Sequence, residues 1–300
     1  MAGRSVNIHA SHTSQWCLRL ETAHSANTTL DHKLKRTNLM NFFLSFTFAF
    51  LATLLPATAT DFDQSHSKWH ADLQLHVKNG SVNYQAWSAD PKRLDAYLKE
   101  LEQAQPGTWT SDEKLALWIN AYNAWTVKHI LNYYPFTAAK RTSKRFPVNS
   151  IRQVKGIWKE FKMDVAGRNL SLDQMEHEIM RKEHKEPRIH FAIVCASIGC
   201  PSLSNEAFVP QKLESQLTER ATHFSRDKSK NRVDHADRKI YLSKIFDWFG
   251  GDFDSFAEGK QKGTVSFVAK HLPTPDKRKV LGGKPYSIGY LDYDWSLNGE

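Results

Sequence analysis

From Ser111 to Tyr134 the chain reads as one helix with almost no polar face. Leu115, Trp118, Ile119, Tyr122 and Trp125 fall on one side, and Leu117, Ala121, Ala124, Val127 and Leu131 fall on the others. A helix that is apolar all round has to be buried, so the fold must be built around this one. Its start is written as Thr110-Ser-Asp-Glu113, the reciprocal capping pattern of a threonine and a glutamate three residues on. Its end is set by Pro135, which disfavours helical backbone at the preceding residue. The same helix carries Asn120 and Asn123, which are neighbours on its surface. A buried amide needs acceptors for its N–H groups and a donor for its oxygen. These two side chains therefore either tie the helix to adjoining backbone or take part in chemistry, by orienting an imidazole or donating to an oxyanion. Both uses exclude leucine.

The second informative stretch is His190-Phe-Ala-Ile-Val-Cys195-Ala-Ser197-Ile-Gly-Cys200-Pro201. Arg188 to Val194 alternates as a strand, with Arg188, His190, Ala192 and Val194 on one face. A straight continuation turns Cys195 away from His190. A bulge, an end at Val194, or use of Cys200 would bring a thiol and the imidazole together. Upstream, Ser171-Leu-Asp-Gln174 caps a helix whose core face is Leu172, Met175 and Ile179, and this helix presents Glu176 and His177.

Four readings of the thiol pair stand side by side. Cys195 and Cys200 bridge across the Gly199 turn, adding at most about 2 kcal/mol for so short a loop. Alternatively Cys195 is an inert small hydrophobe and Cys200 incidental. In the third reading one thiol is a catalytic nucleophile, its thiolate favoured by His190 or His177, with Asn120, Asn123 or Glu176 holding the imidazole. Papain-like and transglutaminase-like enzymes use these residue types, although here His190 precedes both cysteines. In the fourth, zinc is held by Cys195, Cys200, His190 and His177, at a spacing that suits known zinc sites poorly. The sequence gives no positive expectation of a metal or a cofactor. Gly250-Gly251 and Gly282-Gly283 lack the Lys-Ser/Thr of a phosphate loop and read as turns.

The remaining segments form a shell. Trp69, Leu73 and Val77 recur at helical spacing and stop at Gly80; Asp90-Pro91 precedes a helix with Leu94, Tyr97, Leu98 and Leu101 on one stripe. A short helix is expected to carry Ile151, Val154 and Trp158, followed by a hairpin of Lys162–Val165 with Arg168–Leu170. Val209-Pro210 opens a helix striped by Leu213, Leu217, Ala221 and Phe224; Lys239–Leu242 is a strand, followed by Ser243 and an aromatic helix through Phe246 and Phe249, and Thr264–Leu272 is a further helix. Tyr286–Tyr293 returns to the sheet, with Trp295 expected to pack. The expected fold class is α+β, a helix-rich single domain with a small, mainly antiparallel sheet.

The N-terminus reads differently. Phe42 to Leu55 is a short apolar run, preceded by Lys33, Lys35 and Arg36 and followed by Ala57-Thr58-Ala59, the pattern of a cleavable signal peptide. Residues 1–59 are thus expected to be an extension plus signal, with translation starting at Met1 or Met40, and 60–300 to be the globular domain. The run is short for a span of roughly 20 residues, so a membrane is met only through an uncleaved signal. Residues 1–59 hold five Lys/Arg and two Asp/Glu, so the net charge of +9 becomes +6 without them. A basic cluster of Lys140, Arg141, Lys144, Arg145, Arg152, Lys155, Lys159 and Lys162 remains. In a secreted or periplasmic protein no nucleic-acid partner is expected, and this is a solvated face or one that meets anionic envelope material.

Taken together, Trp118-Ile-Asn-Ala-Tyr-Asn123, Leu172 with Glu176-His177 and Arg181, Arg188-Ile-His-Phe-Ala192 with Cys195-Ala-Ser197 and Cys200-Pro201, Ile245-Phe246 with Trp248-Phe249, and Tyr290-Leu-Asp-Tyr-Asp-Trp-Ser-Leu-Asn298 resemble the domain-of-unknown-function 547 family. The resemblance covers about residues 80–298. It implies a single domain found in exported bacterial proteins and, in plants, beside leucine-zipper or glutaredoxin-like segments; no reaction comes with it. The functional expectation is a thiol-dependent hydrolase or acyl transferase of the cell envelope, acting on an envelope component or small substrate. The alternative is a non-catalytic envelope binding or assembly module with a structural Cys pair. N-terminal sequencing of the exported protein should begin after Ala59, and an intact Met1 or Met40 on its soluble form would overturn the signal reading.

Overall fold

The computed structural model describes residues 61–300; the apolar run at Phe42 to Leu55 and its Ala57-Thr58-Ala59 flank lie outside the described residues. The chain starts with α1 (Ser67–His76), which turns through a hairpin of β1 (Val77–Lys78) and β2 (Ser81–Val82) into α2 (Tyr84–Ala89) and α3 (Lys92–Gln103). Asn79 and Gly80 are both left-handed at that hairpin, the backbone a two-residue turn between antiparallel strands favours. Next comes α4 (Ser111–Tyr133), opened by the expected capping box of Thr110 and Glu113. Trp69 of α1 stacks between Trp87 and Tyr97, at ring separations of 5.7 and 6.0 Å, and this aromatic layer joins the first three helices.

After α4 the chain leaves regular structure. Ala138–Lys140 and Ile151–Gln153 form single 3₁₀ turns, and the helix expected to reach Trp158 is not present. Gly156 is left-handed, which breaks any helix there. The hairpin of β3 (Met163–Val165) and β4 (Arg168–Leu170) forms as expected, with Ala166 and Gly167 left-handed at its tip. The Ala166 N–H donates to Leu101 O of α3 at 2.7 Å, which fixes the hairpin to the helical layer. α5 (Leu172–Gln174), capped by Ser171, continues into a π-wound segment, Met175–His184. Leu172, Met175 and Ile179 are fully buried.

The strand expected over Arg188–Val194 is a 3₁₀ turn, Pro187–Phe191, followed by irregular chain. Pro187 suits a first helical position, and Glu186 accepts from the Arg188 N–H at 2.9 Å. In a three-residue period Arg188 and Phe191 share a side. Both turn to α6 (Leu213–Arg226): Arg188 donates to Glu214 and Thr218, and Phe191 packs on Phe224 at 5.0 Å. The apolar run that imitated a strand is a buried loop, an ambiguity that short apolar runs carry.

The C-terminal third adds β5 (Arg232–Asp234), β6 (Lys239–Leu242), α7 (Ile245–Trp248), a 3₁₀ segment Gly250–Phe256, α8 (Gly263–His271), α9 (Thr274–Leu281) and β7 (Ser287–Tyr290). β5 pairs with β6 antiparallel and β7 with β6 parallel, so strands lie in three small sheets with one parallel pairing among the described residues. The α+β, helix-rich class holds. One hydrophobic cluster surrounds α4; a second is aromatic, with Phe191, Phe224, Phe246, Phe253 and Phe267 at its centre.

Two amides anchor loops to α4. Asn120 and Asn123 are 0 % and 1 % exposed. Asn120 donates to Phe208 O at 2.7 Å and accepts from Phe208 N–H at 3.0 Å. Asn123 donates to Ala192 O at 2.9 Å and accepts from Val194 N–H at 2.9 Å. In Asn123→Leu, a buried carbonyl and a buried N–H lose their partners, and the expected loss is roughly 1–3 kcal/mol of stability. Chemical denaturation measures it; an unchanged midpoint and slope would contradict the anchoring.

Candidate active site

Cys195 follows the backbone that Asn123 clamps, and the next residue, Ala196, is left-handed at φ 55. Such a conformation in a residue with a Cβ is strained and persists only where the surroundings enforce it. They do so through the C-terminal segment. Ile198 N–H donates to Ser296 O, Gly199 N–H to Asp294 O, and Asn298 N–H to Ala196 O. A Cβ on Gly199 would lie 2.9 Å from Asp294 N, so only glycine permits this approach. The segment delivers Tyr293, whose hydroxyl lies 3.1 Å from Cys195 Sγ; the Ser197 hydroxyl lies at 3.1 Å as well. The Cys195 N–H donates to Cys200 Sγ at 2.8 Å, and both cysteines are free thiols. The disulfide reading does not describe this structure.

The two thiols differ. Burial disfavours the Cys195 thiolate, but hydrogen bonds from Cys200, Ser197 and Tyr293 outweigh it and bring the pKa down to about 7. Burial first, and then the neighbouring Cys195, push Cys200 well above the usual thiol range. Cys195 is partly exposed and Cys200 is buried.

The cavity that both thiols line is also lined by part of a chain of charged and polar groups. Arg181 grips Asp252 through Nε at 2.6 Å and Nη2 at 2.7 Å, and its Nη1 donates to His177 Nδ1 at 2.8 Å. Against the cost of its own burial, His190 and Arg181 hold the Asp252 carboxyl far below the usual carboxylate range. Asp252 is therefore an acceptor, and His190 Nε2, 2.8 Å from it, carries the proton. Burial lowers the His190 pKa, so the ring is neutral and Nδ1 keeps its lone pair. That nitrogen faces Glu176 Oε1 at 3.7 Å, longer than a hydrogen bond. Glu176 is only 8 % exposed, and burial raises its pKa to about 7 even with Arg181 opposing. His190 stacks on Phe249 at 4.1 Å, which fixes the plane of the ring.

Cys195, Cys200, Glu176, His177 and His190 all line one cavity of about 200 Å³, walled by Tyr122, Trp158, Trp248, Phe249, Tyr293 and Trp295. Trp295 is thus a wall residue as well as a packing one. Asn120 and Asn123 are not in this wall: they hold backbone. No hydrogen bond joins His190 or His177 to either sulfur among the described residues, and the imidazole expected to activate the thiol is engaged by carboxylates instead. Nor do three His, Cys, Asp or Glu side chains converge as a metal's donor set among the described residues. Sequence reasoning missed Asp252, which lies in a 3₁₀ segment with no pattern to mark it, and Tyr293, whose place depends on the tail pairing beside Gly199.

The Glu176 pKa has a consequence for stability. The folded protein keeps the Glu176 proton up to about pH 7, whereas an unfolded glutamate releases it near 4.5. Across that window the folded state binds more protons, so this group's contribution to stability falls as pH rises and levels off above pH 7. Asp72, raised to about 6 by burial, acts in the same direction. Subtracting a Glu176→Gln variant isolates Glu176: its stability relative to wild type should increase by on the order of 2 kcal/mol from pH 4.5 to 7.5. A pH-independent difference in denaturation midpoint would contradict the raised pKa.

No curated protein and no solved structure matches the chain. A family model does match, over the residues from the loop before α4 into α6, which bring Asn120, Asn123, Glu176, His190, Cys195 and Cys200 together. Residues 106–224 match the model of the family described as Protein of unknown function, DUF547.

Proposed function

We propose that this cavity is a thiol-dependent acyl-transfer or hydrolase site with Cys195 as nucleophile and Glu176 as general acid and base. The observation that carries the reading is a pair of groups in one cavity. A partly exposed thiol with its pKa near 7 and a buried carboxyl with its pKa near 7 line the same small, aromatic-walled cavity. At neutral pH both states of each group are populated, which suits a nucleophile and a proton donor working together.

The Cys195 thiolate attacks the carbonyl carbon of a bound ester, thioester or amide. As the tetrahedral adduct collapses, the leaving group takes the Glu176 proton and a thioester to Cys195 remains. The Glu176 carboxylate then removes a proton from water or an acceptor hydroxyl or amine. That oxygen or nitrogen attacks the thioester carbon, and the thiolate departs. His190, anchored by Asp252, lines the cavity beside Glu176 and turns its Nδ1 lone pair toward that carboxyl at 3.7 Å. The same reading places the reaction in the cell envelope, on the strength of the apolar run at Phe42 to Leu55 and the Ala57-Thr58-Ala59 flank.

One observation favours the other reading, a binding module without bond making: both ring nitrogens of His190 face carboxylates, not a thiol. Mass-mapped alkylation separates the two. Under the catalytic reading iodoacetamide modifies Cys195 below pH 7 faster than a free thiol, while Cys200 reacts only after unfolding. Tyr293→Phe should slow the Cys195 reaction by at least roughly tenfold at pH 6, because a hydrogen bond to a charged group contributes about 1.5 kcal/mol or more. If Cys195 in native protein reacts no faster than free cysteine, the nucleophile is abandoned and the binding module stands.

A further inference from the structure

Arg152 lines the cavity, and its surroundings differ from those of Arg181 and Arg188. Arg181 is saturated by Asp252, and Arg188 by Glu186 and Glu214. Arg152 has aromatic neighbours instead. Its guanidinium lies 4.5 Å from the Phe146 ring, 5.1 Å from Trp295 and 5.4 Å from Trp158. Rings hold such a cation by its face, which leaves its in-plane N–H donors for another acceptor. Among the described residues no carboxylate pairs with it. The charges bearing on it, after its own burial, are the Arg145 cation and the Cys195 thiolate.

Its position gives this donor set a use. Arg152 lines the cavity that holds Cys195 and also a neighbouring hollow of about 320 Å³ formed with Phe146, Lys155 and Trp158. The loop that sets Phe146 there is itself folded by Arg141, which donates to the carbonyls of Ser143, Lys144 and Phe146. Arg145 and Lys155 add charge of the same sign. The region is therefore a preorganised cationic wall that meets the thiol cavity, and a planar guanidinium with open N–H edges matches carboxylate and phosphate oxygens.

We infer that the substrate carries an anionic oxygen group, a carboxylate or a phosphate, and that Arg152 binds it beside Cys195. This rests on the reading of Cys195 as nucleophile. Arg152 is then the specificity residue, and it selects acyl compounds with an anion close to the scissile carbonyl over neutral ones.

Two alkylating reagents of nearly the same size test it in the intact protein: iodoacetate, a carboxylate, and iodoacetamide, which is neutral. The readout is the ratio of their rates at Cys195, mapped by mass spectrometry, which cancels any change common to both. The ratio should exceed that of free cysteine by roughly fivefold, the effect of about 1 kcal/mol of charge attraction. It should fall to the free-cysteine value in Arg152→Gln and keep part of the excess in Arg152→Lys. Inorganic phosphate and succinate, added separately, should slow the iodoacetamide reaction of wild type: protection by phosphate alone identifies a phosphate ligand, by succinate alone a carboxylate. A wild-type ratio equal to that of free cysteine, a ratio unchanged in Arg152→Gln, or protection by neither anion overturns the inference while fast iodoacetamide labelling leaves the nucleophile in place. Slow labelling by both reagents overturns the nucleophile, and this inference with it. Should Arg152→Gln unfold, seen as labelling of Cys200, the Arg152→Lys ratio and the anion protection decide.

Discussion

Asn123 commits both halves of its amide to the chain just ahead of Cys195, and the rest of the site depends on that bracket. Its hydrogen bonds sit inside an apolar cluster where water cannot replace them. In the stretch from Ala192 to Val194 the first two N–H groups bond back to Ile189 O, but the Ala192 carbonyl and the Val194 N–H have no strand or helix ladder to satisfy them. Without an internal partner it would leave buried donors and acceptors unmet, so the amide is what allows irregular chain to run through the core. Asn120 does the same for Phe208, eight residues beyond Cys200 in the chain. An α4 that is apolar all round provides a rigid, dry post, and its two polar side chains are the fixings.

A second constraint comes from the end of the chain. The segment from Asp294 to Asn298 pairs with the turn after Cys195, and the last residues continue to β2, where Glu300 N–H donates to Val82 O. A Cβ on Gly299 would fall 1.9 Å from Val82 O, so that contact too requires glycine. The tail thus joins the N-terminal helical layer to the cysteine loop and carries Tyr293 and Trp295 into the cavity wall. The left-handed backbone at Ala196 is held by these bonds, and it aims the Cys195 side chain at the cavity.

Electrostatics divides the cavity into two halves. The Arg181 clamp keeps Asp252 ionised, which fixes the His190 tautomer, and burial keeps Glu176 protonated to near neutrality. Buried charges of this kind are costly to hold unless each is paired, and here the pairing runs in sequence from Arg181 through Asp252 to His190. On the other half, the Cys195 thiolate is favoured by hydrogen bonds from Cys200, Ser197 and Tyr293, with no imidazole among them. The π-wound segment contributes three of these groups, Glu176, His177 and Arg181, and such windings recur at functional sites.

By itself the sequence determined the central helix, its capping box and both anchoring amides, because these follow from a 3.6-residue period and from the needs of buried amides. It also marked Cys195, Cys200, His190, Glu176 and His177 as one group, which the fold places around one cavity. It could not decide the conformation of Arg188 to Val194, since a buried loop and a buried strand have the same apolar composition; only Asn123 and α6 settle where that backbone is paired. Nor did it show that Asp252 and not a cysteine faces the imidazole, or that Tyr293 serves the thiol. Those contacts join residues 62 and 98 positions apart, and nothing local encodes them. They exist because the Arg181 clamp and the Gly199 contact bring distant segments within hydrogen-bond reach, and that is a property of the packed molecule.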